Sequence, residues 1–323
     1  MNICIVGFGA IGPVHADSIN MIESVTLYGI CDIVKERADK AAEKYGCKAF
    51  YSFDECLLDK NIDSIHICTP HYLHYDMIKK AIQANKKVVA EKPIVMKKDE
   101  FSALLKDYPD APIFPIVQNR TNLCIKELKN IIDTDQSMGK LTAVKGILTW
   151  YRTAEYYNSS IWRGTKLYEG GGVLINQAVH TLDLMIYLGG KVSSVTASAS
   201  NKSLRGVIEV EDTIDALLQY ENGAKGIFYA TNAYTSNSPV QLELEFENAS
   251  FKYMSGKLYR DNELICTDDA KFLGKAYWGS GHERTLYDLY VNKSTLGLTD
   301  IKNTMYTMFA IYESAEKKEE IYL

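Results

Sequence analysis

The sequence predicts an α/β protein in which a doubly wound parallel sheet is followed by a second α/β domain built on a large, mostly antiparallel open sheet. Three observations predict it. From Asn2 to about Asn119, short runs rich in Val, Ile and Cys alternate with stretches of helical period, the pattern of β-α-β units. A Gly7-x-Gly9-x-x-Gly12 loop sits directly between the first such run and the first helix. From about Leu141 the texture changes to long alternating segments such as Gln241-Leu242-Glu243-Leu244-Glu245-Phe246, with little helix between them.

The buried-strand candidates of the first half are residues 2 to 7, 25 to 32, 64 to 69, 87 to 91 and 113 to 118. Val34 to Tyr45 carries apolar positions at helical spacing, and Gly46 is placed as its stop. In the second half, Asn222-Gly223 is the signal for a tight hairpin joining runs 213 to 221 and 225 to 233. Helices are expected near 172 to 188, 282 to 293 and 300 to 318. A chain of 323 residues exceeds what one core usually supports, so two domains are expected, 1 to 120 and 121 to 323.

A content of 46% hydrophobic and 24% charged residues is that of an ordinary globular protein. The formal charge of -5 leaves no cationic field for a phosphate backbone, which argues against nucleic acid as a partner. Seven cysteines, odd in number and without CxxC spacing, read as reduced thiols of a cytoplasmic protein. Residues 2 to 7 already form a strand candidate, leaving no room for a signal peptide, and no apolar stretch is long enough to span a membrane.

The strand-loop-helix setting of Gly7, Phe8, Gly9, Ala10, Ile11 and Gly12 lets backbone amides and a helix N-terminus approach a pyrophosphate. The second run ends in Asp32, twenty residues after Gly12. A carboxylate there accepts the adenosine ribose hydroxyls and repels a 2'-phosphate, which favours NAD(H). Arg37 could stabilise that phosphate, which leaves NADP(H) open.

Run 87 to 91 ends in Glu91-Lys92-Pro93, placing an ammonium at the carboxyl edge of the sheet, where it can stabilise alkoxide character as hydride leaves. Gly170-Gly171-Gly172 opens a helical segment in which Asn176 and His180 stand four residues apart on one face, with Asp183 a turn beyond. A histidine so placed can take a hydroxyl proton. His66, His71 and His74 are close in sequence, but no carboxylate sits at ligand spacing and no metal is expected.

The ordered set of Gly7-x-Gly9-x-x-Gly12, Thr69-Pro70 with His74, Glu91-Lys92-Pro93 and Gly170-Gly171-Gly172 leading to His180 resembles the glucose-fructose oxidoreductase/inositol dehydrogenase/MocA (Gfo/Idh/MocA) family over essentially the full chain. The resemblance implies a Rossmann domain, an open sheet used for homodimer or homotetramer contacts, and a last helix packing back onto the first domain. It implies that Lys92 touches nicotinamide ribose and substrate, and that His180 is the general acid/base. Thr69, Pro70, His74, Glu91 and Asn119 would line the cofactor, and Arg120, Trp162, Arg163 and Asn176 the substrate.

Many polyol-oxidising members carry aspartate where this chain has Asn176. Asparagine cannot accept a proton, so His180 and Lys92 must bear the acid-base work. The string Asn176-Gln177-Ala178-Val179-His180, with its flanking segments, looks like the branch acting on nucleotide-linked amino sugars. The expected activity is NAD(H)-dependent oxidation of a secondary hydroxyl on a sugar, sugar derivative or cyclic polyol. An epimerising or glycosidase-like enzyme that uses NAD transiently, and an NAD-binding sensor, are the alternatives.

Overall fold

The structure, a computed structural model, describes residues 1–268 and 281–323, which divide into two compact units. The first comprises residues 1–95, 99–118 and 281–300; the second comprises 96–98, 119–268 and 301–323. Among the described residues no helix is long and apolar enough to cross a membrane.

In the first unit β1 (Asn2–Val6), α1 (Gly12–Asn20), β2 (Thr26–Cys31), α2 (Lys35–Tyr45), β3 (Lys48–Phe50), α3 (Phe53–Leu58), β4 (Ser64–Ile67), α4 (His74–Gln83), β5 (Lys87–Ala90), α5 (Lys98–Asp107) and β6 (Ile113–Pro115) follow one another. The six strands pair in parallel in the order β3-β2-β1-β4-β5-β6. That order reverses direction between β1 and β4, so the loops after these strands open on the crevice where doubly wound sheets bind ligands. Strand β4 is buried along its whole length, which is why it reads as an apolar run rather than an alternation.

Strand β3 is an element the sequence reading lacks. Three residues offer no period, and the strand is held by packing: a Cβ on Gly29 would come within 2.4 Å of the Phe50 ring, so the ring lies directly on the bare backbone of β2. Gly46 ends α2 as expected, in the left-handed region at φ 67°.

The second unit contains α6 (Leu123–Thr134), β7 (Leu141–Thr149), α7 (Ala154–Asn158), α8 (Val179–Gly189), β8 (Val192–Ser200), β9 (Thr213–Tyr220), β10 (Lys225–Thr231), β11 (Gln241–Phe246), β12 (Ser250–Met254), β13 (Lys257–Arg260) and β14 (Glu263–Thr267). With β15 (Ile321–Tyr322) the strands form a nine-stranded sheet ordered β14-β13-β12-β11-β7-β10-β9-β8-β15, antiparallel except for β7 with β10. The Asn222-Gly223 turn joins β9 to β10 as expected, with Gly223 at φ +91°.

Helix α8 packs on β7, and α10 (Lys302–Lys317) packs on β8 and α8. Ile214, Ala216, Leu218, Phe228 and Ala230 face this layer and are buried. The last helix belongs to the second unit. The segment that returns is α9 (Gly281–Tyr290), whose Leu286 enters the apolar core around Ile5, Ile19 and Ile30.

Candidate active site

The three loop glycines have three different jobs. Gly7 sits at φ +89°, and a Cβ there would lie 2.8 Å from backbone atoms of Cys68. A Cβ on Gly12 would meet the Phe8 ring at 2.9 Å and the Gly7 carbonyl at 3.0 Å. Gly9 has nothing within 4 Å of its Cβ position, so the space above the loop is open. Gly9 and Ala10 are exposed, Ile11 is partly so, and Phe8 turns inward. A tight turn, close helix packing and an unobstructed face are what a bound pyrophosphate requires, so these residues fit a dinucleotide.

Asp32 is buried at the end of β2. Its Oδ2 accepts the Phe8 N–H at 2.9 Å and its Oδ1 accepts the Val34 N–H at 2.9 Å. Arg37 Nη1 donates to both oxygens, at 3.2 and 3.0 Å. Arg37 is therefore engaged by the acid that would reject a 2'-phosphate. Asp32→Ala removes the repulsion and releases the guanidinium; the preference for NAD over NADP is expected to fall by about tenfold or more, equivalent to about 1.4 kcal/mol, as read from the two dissociation constants. An unchanged ratio would remove this role from Asp32.

Behind Lys92 lies a buried polar chain. Glu91 Oε1 faces His15 Nε2 at 3.0 Å and His282 Nε2 at 3.1 Å, while Glu91 Oε2 accepts the Lys92 backbone N–H at 3.2 Å. Burial pushes the Glu91 carboxyl up, but hydrogen bonds from the two histidines outweigh it and hold the group well below its ordinary value. Burial lowers both His15 and His66. Neutral rings fix the proton order: His15 gives its one N–H to Glu91, so its Nδ1 must accept from His66 Nδ1 at 2.8 Å. His66 Nε2 then accepts the Tyr290 hydroxyl at 2.6 Å. One set of tautomers satisfies the whole chain.

The atoms of His15, Glu91 and His282 that could ligate a metal lie within 4.8 Å of one another, a grouping that sequence spacing does not reveal. Both ring-to-carboxylate contacts have hydrogen-bond lengths, and they account for the cluster without an ion. The sequence-adjacent His66, His71 and His74 do not converge. His66 points to His15 and Tyr290, whereas His74 is fully buried with Nδ1 2.8 Å from the Pro93 carbonyl and Nε2 2.9 Å from the Thr69 carbonyl. A neutral ring can donate to only one of these carbonyls at a time. His74 thus tethers the Thr69-Pro70 loop to the Lys92-Pro93 turn, itself a cis peptide, and its side chain offers no ring nitrogen to a ligand.

In the second unit the triple glycine is required by contact. A Cβ on Gly172 would fall 1.9 Å from the Glu211 carbonyl oxygen, and one on Gly171 would fall 2.2 Å from the Tyr312 hydroxyl. Glu211 closes the helix start: Oε2 accepts Gly172 N–H at 2.9 Å, and Oε1 accepts Leu174 N–H at 3.1 Å and the Tyr312 hydroxyl at 2.9 Å. Burial raises its carboxyl, opposed by these donors. A carboxylate on the free amides of a helix start is the favourable pole of the helix dipole.

The expected regular helix begins instead with a π-helical turn over Leu174–Ala178 before α8, so Asn176 lies in the wide turn and His180 in the α-helix proper. Such turns are rare and recur at functional positions. Between residues 171 and 186 every residue is buried except His180, which is partly exposed. The Asn176 amide nitrogen donates to the buried Glu169 carboxylate.

Arg120 is buried. Its Nε donates to Asp183 Oδ2 at 2.8 Å and its Nη2 to Asp183 Oδ1 at 2.6 Å, with the guanidinium 4.6 Å from the Tyr187 ring. Thr304 adds a 2.7 Å bond to Asp183 Oδ1. The pair is buried and ties the turn at 118–121 to α8, while Thr304 ties α10 to the same carboxylate, so Arg120 acts as an internal brace and Asp183 is turned toward it. Asn119 precedes it in a short 3-10 turn. Trp162 and Arg163 are partly exposed; Arg163 stacks on the Trp162 and Tyr156 rings at 5.2 and 4.8 Å.

The groups missed from sequence are His15, His282, Glu169 and Glu211. Glu169 adjoins the glycines and Glu211 lies about forty residues further along the chain, and only folding brings their carboxyls to Asn176 and the helix start.

The chain matches two family models in order: the oxidoreductase family NAD-binding Rossmann fold over residues 1–109, and the Gfo/Idh/MocA C-terminal domain over 125–252. It is 26% identical over 292 residues to the myo-inositol 2-dehydrogenase of Thermotoga maritima, covering 86% of this chain and 81% of that one. It is 24% identical over 280 residues to the levoglucosan dehydrogenase of Pseudarthrobacter phenanthrenivorans, covering 78% and 72%. The crystal structure of the WlbA dehydrogenase from Bordetella pertussis, in complex with NADH and UDP-GlcNAcA, superposes with a TM-score of 0.86 at 27% identity, covering 100% of this chain and 98% of that one. Matched in both domains and in the expected order, this chain belongs to the Gfo/Idh/MocA family of oxidoreductases.

Proposed function

We propose that the protein oxidises a secondary hydroxyl on a sugar, sugar derivative or cyclic polyol, with His180 taking the hydroxyl proton and Lys92 stabilising the developing oxyanion. Bound NAD supplies the hydride acceptor. The observation that carries the reading is His180, the one residue of the buried stretch from 171 to 186 that is partly exposed, on a helix whose start is locked by Glu211. An imidazole has the right proton affinity for an alcohol that acidifies as hydride departs. The names of the relatives support a polyhydroxylated substrate, since they denote dehydrogenases of inositol and levoglucosan.

Within that class we assign the nucleotide-linked amino sugars, on the Asn176-Gln177-Ala178-Val179-His180 string and on the WlbA relative solved with UDP-GlcNAcA. The test is NADH formation from UDP-GlcNAcA, myo-inositol and levoglucosan, with NADP in parallel. NADH build-up with UDP-GlcNAcA far above the other two supports the assignment. Preferred turnover of a free polyol overturns the branch and keeps the class, and turnover of none overturns the class.

The sequence's cytoplasmic reading accords with seven free thiols. The proposed self-association uses the open face of the sheet, where Leu217 and Ile227 stand opposite each other across β9 and β10, 61% and 54% exposed. An apolar cross-strand pair left in water on a large sheet marks an interface. Leu217→Lys with Ile227→Lys is expected to reduce the particle mass measured by light scattering to that of one chain. An unchanged multimer would place the interface elsewhere.

A further inference from the structure

We infer that the first unit carries a second binding site, a crevice beside α9 that takes a small organic anion with an apolar body. Tyr290 passes the occupancy of this crevice toward Lys92. The crevice has a volume of about 290 Å³, at the small end of small-molecule sites. Ser64 and Lys87, the first residues of β4 and β5, place it at the amino edge of the parallel sheet, opposite the glycine loop. Its apolar wall comes from Val89 and Phe114 on β5 and β6 and from Leu289 on α9. Its charge comes from Lys87 and Lys293. Among the described residues neither ammonium has an acidic partner, and no carboxylate lines the crevice.

That lining selects the ligand class. A carboxylate on a ring or short chain meets the lysines with its charge and covers the apolar wall with its body. An inorganic anion leaves the wall in water, and an uncharged body gains nothing from the lysines.

Ser64 and Tyr290 belong both to this lining and to the buried polar chain, which hydride transfer does not use. The Ser64 and Tyr290 hydroxyls are 3.2 Å apart, and Tyr290 donates to His66 Nε2 at 2.6 Å. His66 Nδ1 donates to His15 Nδ1 at 2.8 Å, and His15 Nε2 donates to Glu91 Oε1 at 3.0 Å. The other Glu91 oxygen accepts the Lys92 backbone N–H at 3.2 Å. Ser64, His66, His15 and Glu91 are buried and Tyr290 is partly exposed, so a ligand from solvent meets the chain at Tyr290. A hydroxyl has one proton to donate, and an anion seated against Tyr290 competes with His66 Nε2 for it. Bonds in such a chain polarise one another, so weakening the first weakens the bond of His15 to Glu91. The acceptor strength that Glu91 offers to the Lys92 N–H changes with it.

Benzoate is the probe, titrated into the NADH-bound protein in a calorimeter. Benzyl alcohol and inorganic phosphate are its counterparts, one lacking the charge and the other the apolar body. Benzoate is expected to bind with a Kd of about 1 mM or below, within the range of ligand efficiency for a molecule of that size. Both counterparts are expected to bind at least about tenfold more weakly. Lys87→Ser with Lys293→Ser, both at exposed positions, is expected to weaken benzoate by about tenfold or more and to leave NADH affinity unchanged. The relay is read on 15N-lysine-labelled protein from the Lys92 backbone amide signal, identified by its loss in Lys92→Arg. That signal is expected to move along the benzoate binding curve in the wild type. It should stay fixed in Tyr290→Phe, which keeps the aromatic ring and removes the hydroxyl. No benzoate binding, equal binding of either counterpart, or undiminished binding in the lysine variant would overturn the site. A Lys92 signal that ignores bound benzoate, or that responds as fully in Tyr290→Phe, would overturn the relay.

Discussion

Replacing His180 with alanine is expected to lower kcat by about a hundred- to ten-thousand-fold, the range of a lost general base, while the dissociation constant of NAD stays within a few-fold of wild type. The reasons are local. His180 lies on α8, in the second unit, whereas the glycine loop and Asp32 belong to the first. The helix start is held by Glu211 and Tyr312, which the substitution leaves in place. Lys92→Ala is expected to cost about a hundred- to a thousand-fold, the usual effect of losing one oxyanion donor. Because the proposal sets both groups on the same reacting hydroxyl, one taking its proton and the other stabilising the oxyanion, the double variant should be little worse than the poorer single one. Steady-state kinetics with NADH formation as readout check all three. Near-normal kcat in both single variants would remove the assigned roles, and full additivity would mean that the residues act in separate steps.

Arg120→Ala is expected to destabilise the fold by about 3–5 kcal/mol, because removing one member of a buried ion pair strands the other. Asp183 would retain the Thr304 hydroxyl but lose both guanidinium bonds, in surroundings where a lone carboxylate is poorly solvated. Arg120→Met with Asp183→Leu removes both charges and should recover much of the loss. Chemical denaturation measures each step. Had Arg120 been a substrate ligand, the single variant would keep its stability and raise KM; that outcome would reject the brace.

These two predictions separate what sequence spacing carries from what it does not. Residues whose job is done by backbone geometry were legible: Gly7, Gly9 and Gly12, Gly46 after α2, and the Asn222-Gly223 turn all stand where the reading put them. The Arg120–Asp183 pair was not, because an arginine beside an asparagine after a strand does not disclose an aspartate 63 positions away. The partners of His74 were hidden for the same reason: they are backbone carbonyls, which no residue type advertises.

By itself the sequence determined the two-domain α/β architecture, the dinucleotide class and the order of the lysine and histidine motifs, because these depend on period, turn chemistry and spacing along the chain. Only the tertiary structure decided that Arg37 is held by Asp32, that two histidines converge on Glu91, that the helix carrying His180 opens with a π turn, and that Glu169 faces Asn176. Each joins side chains across separate elements or depends on where a helix end is seated. Burial and hydrogen-bond partners then set charge and orientation, and these are properties of the packed interior that a linear pattern does not contain.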